Sequence, residues 1–189
     1  MDAASDRALV EIDVSEEVIK RCRDRAKSAL GKLKKNNRRA HAMVVDTSPY
    51  VAGLCPRRAG KTFTAVIAAL CTGEMKPGAI SIIISLNLKQ LRRLYWEGPA
   101  GIVTLARKHG IKLHTNSNGL SWTHENGSIG YLLGCDDEEQ LEVIRGLEAD
   151  LYVVDECKSF APSRLDKLCV EIIEPQLGKS LSPVHPAGP

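Results

Sequence analysis

A candidate phosphate-binding loop is the feature that most constrains this chain. Gly60, Lys61 and Thr62 stand between a short apolar run at 50–54 and a long apolar segment at 63–71. The pattern predicts a strand, a tight loop and a buried helix. In that setting Gly-Lys-Thr binds phosphate, because the N–H groups at the helix start face the anion. Gly60 would admit the phosphates closely, Lys61 would reach the β- and γ-oxygens, and the Thr62 hydroxyl would ligate Mg²⁺.

The loop departs from the general G-x-x-x-x-G-K-[ST] pattern. Cys55 stands where that pattern has its first glycine, and Pro56 has no backbone N–H to offer a phosphate. Arg57 and Arg58 occupy the middle of the loop, and Ala59 follows them. Gly-Lys-Thr by itself is a weak signal, so an ordinary basic turn before a buried helix is the competing interpretation.

An acidic pair further along the chain favours the nucleotide-binding interpretation. Residues 151–154 form a short apolar run that is typical of a buried strand in a parallel sheet, and Asp155 and Glu156 follow it directly. Because open α/β sheets bind ligands at the carboxyl ends of their strands, this pair and the loop should meet at one edge. Asp155 would hold Mg²⁺ and Glu156 would polarise the attacking water. The two motifs together predict an ATPase site that uses ATP and Mg²⁺.

The composition is that of a soluble globular protein. The chain has 189 residues, 43% of them hydrophobic and 26% charged, which suits one domain with a core of ordinary size. It contains no apolar run long enough to cross a membrane, and it begins without a signal-peptide pattern. Its six cysteines form no C-x-x-C pair. They indicate buried free thiols in a reducing cytoplasm rather than a zinc site or disulfides.

Positive charge is concentrated near the N-terminus. Between Lys20 and Arg39 the sequence has ten Lys or Arg residues and a single acid, Asp24. Ser15 is a good N-cap, and apolar residues at helical spacing predict an amphipathic helix over 15–35. The basic face of this helix either contacts nucleic-acid phosphates or is solvated. The candidates for a DNA contact are Lys32, Lys34, Lys35, Arg38 and Arg39.

The remaining pattern predicts alternating strands and helices. Strands are predicted at 42–45, 79–85, 120–125 and 128–134, and helices at 88–97, 101–109, 136–144 and 162–177. Asn126-Gly127 predicts a hairpin turn at the side of the main sheet, and Gly73 predicts the end of the helix after the phosphate loop. We divide the chain into a basic helical segment at 1–40, a P-loop ATPase domain at 41–178 and a Pro/Gly-rich tail at 179–189.

These features together resemble one family, the ATPase domain of phage terminase large subunits, which pump DNA into procapsids. The resemblance rests on the loop at 57–62, the segment at 81–96, Arg145-Gly146 and the acidic pair, and it covers about residues 45–178. It implies an α/β P-loop NTPase fold, with a mainly parallel central sheet flanked by helices.

The resemblance also implies roles for single residues. Glu156 would be the catalytic carboxylate. Arg57 would stabilise charge on the transferring phosphoryl group, with Arg58 as the alternative for that role. Thr62 and Asp155 would hold the metal. Nucleotide contacts would come from Arg58, Ala59, Gly60, Lys61 and Thr62. The implied partners are double-stranded DNA, a portal protein, a terminase small subunit and further copies of the chain, in the host cytoplasm at the procapsid.

Two departures from the family concern its C-terminal part. The sequence has no room for the family's nuclease domain, and residues 179–189 are too rich in proline to form the central strand expected after the last helix. That strand would lie between the strands at 50–54 and 151–154 and pair with both. We therefore expect a fold that is incomplete at its C-terminus, and a chain that alone is marginally folded and a poor hydrolase.

The sequence leaves two other functions open. The N-terminal lobe of a superfamily 2 helicase also places Asp-Glu after a strand, although neither its upstream glutamine motif nor its glycine-rich loop is visible. A fragment that binds nucleotide without turnover is the second alternative. An ATPase assay with and without double-stranded DNA separates all three.

Overall fold

A five-stranded sheet organises the part of the chain that the structure describes. The structure is a computed structural model that describes residues 14–53 and 59–176. The strands are β1 (Ile80–Ser85), β2 (Leu113–Asn116), β3 (Ser121–His124), β4 (Ile129–Gly134) and β5 (Leu151–Val154), in the spatial order β2-β3-β4-β1-β5. Strand β1 is parallel to β4 and β5, whereas β3 is antiparallel to β2 and β4.

Helices cover both faces of this sheet. They are α1 (Glu16–Asn36), α2 (Arg38–Val45), α3 (Lys61–Met75), α4 (Leu88–Leu91), α5 (Ile102–His109), α6 (Glu138–Arg145) and α7 (Pro162–Asp166). Helix α4 continues as a π-helical segment, Arg92–Trp96, and α7 continues as another, Lys167–Ile173. A 3₁₀ turn, Cys157–Ser159, follows β5. Ser15 caps α1 as predicted, because its hydroxyl accepts from the Val18 N–H.

Each face of the sheet buries its own hydrophobic layer. Strand β1 shows the alternation directly, because Ile83 belongs to one layer while Ile82 and Ile84 belong to the other. Successive side chains of a strand point to opposite faces, so one apolar run serves both layers. Helix α1 contributes Ala26 and Leu33 to the first layer, which it shares with α3 and α5. The second layer packs against α6 and the helix that follows β5.

The predicted α/β fold, with a central sheet between helices, is confirmed. The sheet is mixed, with two parallel and two antiparallel pairs, rather than mainly parallel. The hairpin at Asn126-Gly127 explains the difference. Gly127 adopts φ 81°, which a tight turn requires, and the hairpin places β4 directly beside β1 instead of at the side of the main sheet.

The prediction of a strand at 42–45 is wrong. These residues belong to helix α2. The Asn37 side chain starts this helix by accepting from the Ala40 N–H at 3.0 Å, and Ala40 is buried in the layer that holds α1 and α3. A capped start and one packed face outweigh the strand propensity of Val44 and Val45.

A strand at 50–54 is likewise absent from its described part. Residues 50–53 have no regular structure, and Tyr50 and Val51 are 58% and 43% exposed. Leu54 lies outside the described residues. Within the described part of the chain, β5 pairs with β1 on one side and lies at the edge of the sheet. The predicted lack of a further strand beside β5 stays a prediction, because residues 177–189 lie outside the described part of the chain.

Gly73 does not end the helix after the phosphate loop, because α3 continues to Met75. It has a packing role instead. A Cβ added at this position would lie 2.6 Å from Cδ2 of His124 on β3. Only glycine leaves room for that ring, which itself is buried.

Five cysteines are free thiols in the described part of the chain, and the burial expected of them is found for three. Cys22, Cys71 and Cys135 are buried, Cys169 is partly buried and Cys157 is exposed. Cys55 lies outside the described residues. Among the helices that the structure describes, none has the length and apolar character needed to span a bilayer.

Candidate nucleotide-binding site

The first side of the candidate site is the start of helix α3. Gly60 adopts a left-handed conformation there, with φ 84° and ψ 22°, which glycine reaches without strain. The N–H and the hydroxyl of Thr64 both donate to the Gly60 carbonyl, each at 2.9 Å, and they close the first turn. No described side chain caps this helix start. Its first N–H groups and the positive end of its dipole therefore face an incoming anion.

The second side is the carboxyl end of β5. The Asp155 N–H donates to the Ile84 carbonyl at 2.9 Å, so the ladder with β1 extends to Asp155. Glu156 then leaves the strand in a left-handed conformation, with φ 54° and ψ 45°. This conformation is strained for a residue with a Cβ, and such residues cluster at functional sites. The Glu156 carbonyl accepts from the Ser159 N–H at 2.7 Å, which closes the turn after the strand.

The two sides meet in an ion pair. Lys61 Nζ lies 3.2 Å from Glu156 Oε1, although 95 residues separate the two in the chain. Lys158 Nζ lies 3.8 Å from the other carboxylate oxygen. The side chains of Lys61 and Glu156 are 36% and 26% exposed, so a ligand can reach both. The start of α3 and the residue that follows Asp155 thus meet at the carboxyl end of β5.

A residue that the sequence did not single out lies between them. The Tyr95 side chain is 1% exposed, and its hydroxyl faces Asp155 and Thr62. Burial raises the pKa of Tyr95 far above its ordinary value, and the negative charge of Asp155 raises it further. The sequence pattern places Tyr95 with Leu94 on the apolar face of a helix, which is typical of a core residue. A polar hydroxyl on that apolar face was the only indication of a role beyond packing.

Of the remaining candidates for nucleotide contact, the structure describes two and leaves two undescribed. Ala59 is exposed and precedes Gly60, and Thr62 is the second residue of α3. Arg57 and Arg58 lie outside the described residues. Their predicted roles stay predictions.

The donor set suits Mg²⁺ bound together with a nucleotide. The Thr62 hydroxyl and the Asp155 carboxylate face the same buried phenol, so they lie on one side of the sheet edge. Both are oxygen donors, and Mg²⁺ usually takes one or two such ligands from a protein and the rest from phosphate and water. The described residues include no group of three or more His, Cys, Asp or Glu that could hold a metal ion.

The five basic candidates lie near the junction where α1 ends and α2 begins. We call Lys32, Lys34, Lys35, Arg38 and Arg39 the junction surface, and all five side chains are exposed. Asn37 lies within it and connects it to the loop. Its Nδ2 is 3.9 Å from the position that a Cβ on Gly60 would occupy. The junction surface therefore borders the candidate nucleotide site.

Comparison with known families identifies a match over most of the chain. Residues 53–168 match a family model described as the N-terminal part of the terminase large subunit, T4-like-virus type. No curated protein matches the sequence significantly.

Two solved structures have a similar fold. The large terminase ATPase domain of Thermus phage P74-26 gives a TM-score of 0.59 at 17% identity, covering 75% of this chain and 59% of that one. The large terminase of the thermophilic bacteriophage D6E gives 0.54 at 16% identity, covering 77% and 34%. This chain thus spans less than two thirds of the length of either.

Proposed function

The chain belongs to the terminase large subunit family, T4-like-virus type, and from this premise we propose that it is the ATP-hydrolysing motor domain of a viral DNA-packaging machine. In this role, ATP hydrolysis is coupled to the translocation of double-stranded DNA. The family match over 53–168 and the likeness in fold to two phage terminases support the proposal.

The contact between Lys61 and Glu156 carries the proposal. Hydrolysis of a phosphoanhydride needs a cation on the phosphates and a carboxylate that orients water, and both must face one point. Lys61 is the first residue of α3, and its ammonium lies 3.2 Å from the Glu156 carboxylate. Both groups therefore lie at the N-terminus of the helix, where backbone N–H groups favour an anion.

The ion pair also suggests how nucleotide binding prepares the carboxylate. Without nucleotide, the Lys61 ammonium neutralises Glu156. The β- and γ-phosphates carry more negative charge than one carboxylate, so they compete for the ammonium. When the phosphates bind the Lys61 ammonium, Glu156 loses one partner, and its oxygen becomes the acceptor for a water proton. Glu156 Oε1 is then released from Lys61 only when the nucleotide is present.

Thr62 and Asp155 would hold Mg²⁺ beside the phosphates. The metal would neutralise charge that develops on the phosphoryl oxygens. The guanidinium of Arg57 or Arg58 would stabilise the same negative charge, and replacing that arginine would remove the stabilisation. We further propose that the junction surface contacts DNA, and that a portal protein, a small subunit and further copies of the chain complete the motor in the host cytoplasm.

The test is an ATPase assay on the full chain with and without double-stranded DNA. Glu156→Gln should lower Mg²⁺-dependent turnover by about 10²–10⁴-fold, whereas wild type should hydrolyse ATP faster when DNA is present. Because the comparison is a ratio between variants, a low absolute rate suffices. Turnover that is unaffected by Glu156→Gln would contradict the assignment, and binding without any turnover would favour a nucleotide-binding fragment.

Lys76→Ala is a matched control for the loop lysine. Lys76 follows the other end of α3 and pairs with Asp150, which precedes β5. The variant removes a lysine from another ion pair, which lies at the amino end of β5 rather than at its carboxyl end. It should leave nucleotide binding and turnover unchanged, because neither partner lies near the loop.

A further inference from the structure

Tyr95 is held in place by an irregular stretch of helix. After α4, the Glu97 N–H donates to the Arg92 carbonyl at 3.0 Å, a bond that spans five residues and defines the π-helical segment. Such segments occur often at functional sites, because they turn side chains away from the regular helical positions. Here the wide turn buries Tyr95 and Trp96 together.

The Tyr95 hydroxyl is buried, and its polar neighbours Asp155 and Thr62 interact with it without forming a hydrogen bond of regular geometry. A buried phenol normally finds a partner, since burial of an unpaired hydroxyl costs free energy. A hydrophobic site would have been served at least as well by phenylalanine. The hydroxyl therefore needs an explanation that the ring does not supply.

The surroundings of the hydroxyl supply one. It faces the Asp155 carboxylate and the Thr62 hydroxyl, and Glu156 adds negative charge nearby. These two neighbours are the residues to which the proposed function gives the metal. The phenol is a donor and an acceptor at once, so it can serve both of them.

We propose that the Tyr95 hydroxyl is a positioning group for the metal ligands, accepting from the Thr62 hydroxyl and donating to the Asp155 carboxylate. The inference rests on the proposed function and deepens it. A threonine oxygen that coordinates a cation keeps its proton and must donate it elsewhere, and Tyr95 offers the acceptor. A carboxylate with one oxygen on the cation has a second oxygen free, and Tyr95 offers the donor. Groups behind metal ligands commonly fix ligand orientation in this way.

The test compares wild type with Tyr95→Phe in the full chain, which removes the hydroxyl and keeps the ring. The measured quantity is the Mg²⁺ concentration that gives half of the metal-dependent gain in affinity for a fluorescent ADP analogue. We expect a rise of about 10- to 100-fold in that concentration, as for other partners of metal ligands. The affinity for the analogue in EDTA should not change, and neither should the melting temperature fall.

Tyr152→Phe is the matched control. Tyr152 lies on β5 itself, but its hydroxyl donates to the Leu147 carbonyl at 2.6 Å, and the Ala149 N–H donates to that hydroxyl. The same chemical change should lower the melting temperature there and leave the Mg²⁺ dependence at the wild-type value. A shift of the Mg²⁺ dependence in both variants would overturn the proposal, because the effect would not be specific to Tyr95.

The other outcomes are equally decisive. Wild-type Mg²⁺ dependence in Tyr95→Phe overturns the inference, and so does loss of the folded state, which would make the hydroxyl a structural donor. Asp155→Asn separates this failure from failure of the proposed function. If Asp155→Asn weakens the Mg²⁺ dependence and Tyr95→Phe does not, only the inference fails. If neither Asp155→Asn nor Lys61→Ala alters binding, the proposed function fails and the inference fails with it.

Discussion

Lys61 and Glu156 face each other at 3.2 Å across the edge of the sheet, where the start of α3 meets the end of β5. The pair joins an ammonium on a helix dipole's positive end to a carboxylate in a left-handed backbone conformation. An ammonium and a helix N-terminus beside a carboxylate on a strained residue suit a site that receives a more strongly charged anion.

The two members of this pair should affect binding and turnover differently. We expect Lys61→Ala to weaken ATP binding about 10- to 100-fold, the value of one hydrogen bond to a charged group. Glu156→Gln should bind ATP at least as tightly as wild type, because no carboxylate competes for Lys61. Its turnover should fall by about 10²–10⁴-fold. Nucleotide titration and single-turnover hydrolysis measure the two quantities, and an equal loss of binding in both variants would refute the division of roles.

The left-handed conformation of Glu156 predicts an unusual order of stabilities. Glu156→Gly should be more stable than Glu156→Ala by about 1 kcal/mol, because only glycine adopts φ 54° without a steric cost. For a chain of this size the difference corresponds to about 2–4 °C in melting temperature. Glu97 is the control, since it has φ −90°. There the alanine variant should be the more stable one, and the same order at both positions would argue against strain at Glu156.

Local chemistry predicted a large part of this fold. Ser15 caps α1, and Asn126-Gly127 forms the hairpin turn, both as predicted. Each of these depends on residues within four positions in the chain, so the sequence carries the signal directly. For the same reason the apolar run at 151–154 predicted a strand, and with it the position of Asp155 and Glu156 at the carboxyl end of that strand.

The errors arose where distant residues decide the structure. Glycine often ends a helix, but Gly73 lies inside α3 because the ring of His124, on β3, occupies the space that a side chain would need. Residues 42–45 favour a strand locally and form a helix because Ala40 packs against α1 and α3. Tyr95 reads as a core residue, and only the fold brings its hydroxyl to Asp155. No pattern within one segment contains these contacts.

Gly73 predicts a reversal of the usual effect of alanine in a helix. Replacing an exposed helical glycine by alanine stabilises a protein by up to about 1 kcal/mol. Gly31 in α1 is such a position, with no atom within 4 Å of an added Cβ. Gly31→Ala should therefore raise the melting temperature, whereas Gly73→Ala should lower it, because the new Cβ collides with His124. If both variants gain stability in thermal melts, the His124 ring does not depend on Gly73 for its place.

A buried ionic cluster predicts acid sensitivity. Arg25 Nε lies 2.6 Å from Glu74 Oε2, and His124 Nδ1 lies 2.9 Å from the other oxygen of this fully buried carboxylate. Burial alone would raise the pKa of Glu74, but hydrogen bonds from His124 and Arg25 hold it below its ordinary value of 4.5. A lowered carboxyl pKa stabilises the folded state above that ordinary value, and the contribution is lost as the pH falls through the lowered one.

Glu74→Gln should therefore change both the level and the slope of stability. We expect a loss of about 3–5 kcal/mol at pH 7, because Arg25 and His124 lose a buried partner. Between pH 5 and pH 3, the variant should lose less further stability than wild type. Urea unfolding across this range measures both. The exposed Glu97→Gln is the control, and a Glu74→Gln slope as steep as that of wild type would place the acid sensitivity elsewhere.

The junction surface predicts a salt-dependent interaction with DNA. If Lys32, Lys34, Lys35, Arg38 and Arg39 touch phosphates, their joint replacement by alanine should weaken DNA binding at every sequence tested. It should also reduce the slope of log affinity against log salt by about 0.9 for each phosphate that the variant no longer neutralises. The control variant removes four other exposed basic residues, Lys89, Arg93, Arg107 and Lys108, and its slope should stay at the wild-type value.

Because the junction surface borders Gly60 through Asn37, DNA bound there would also lie beside the nucleotide loop. The junction-surface variant should therefore also lose the stimulation of ATPase activity by DNA. A salt slope that is equal in wild type and in both variants would leave the junction surface as a solvated basic face.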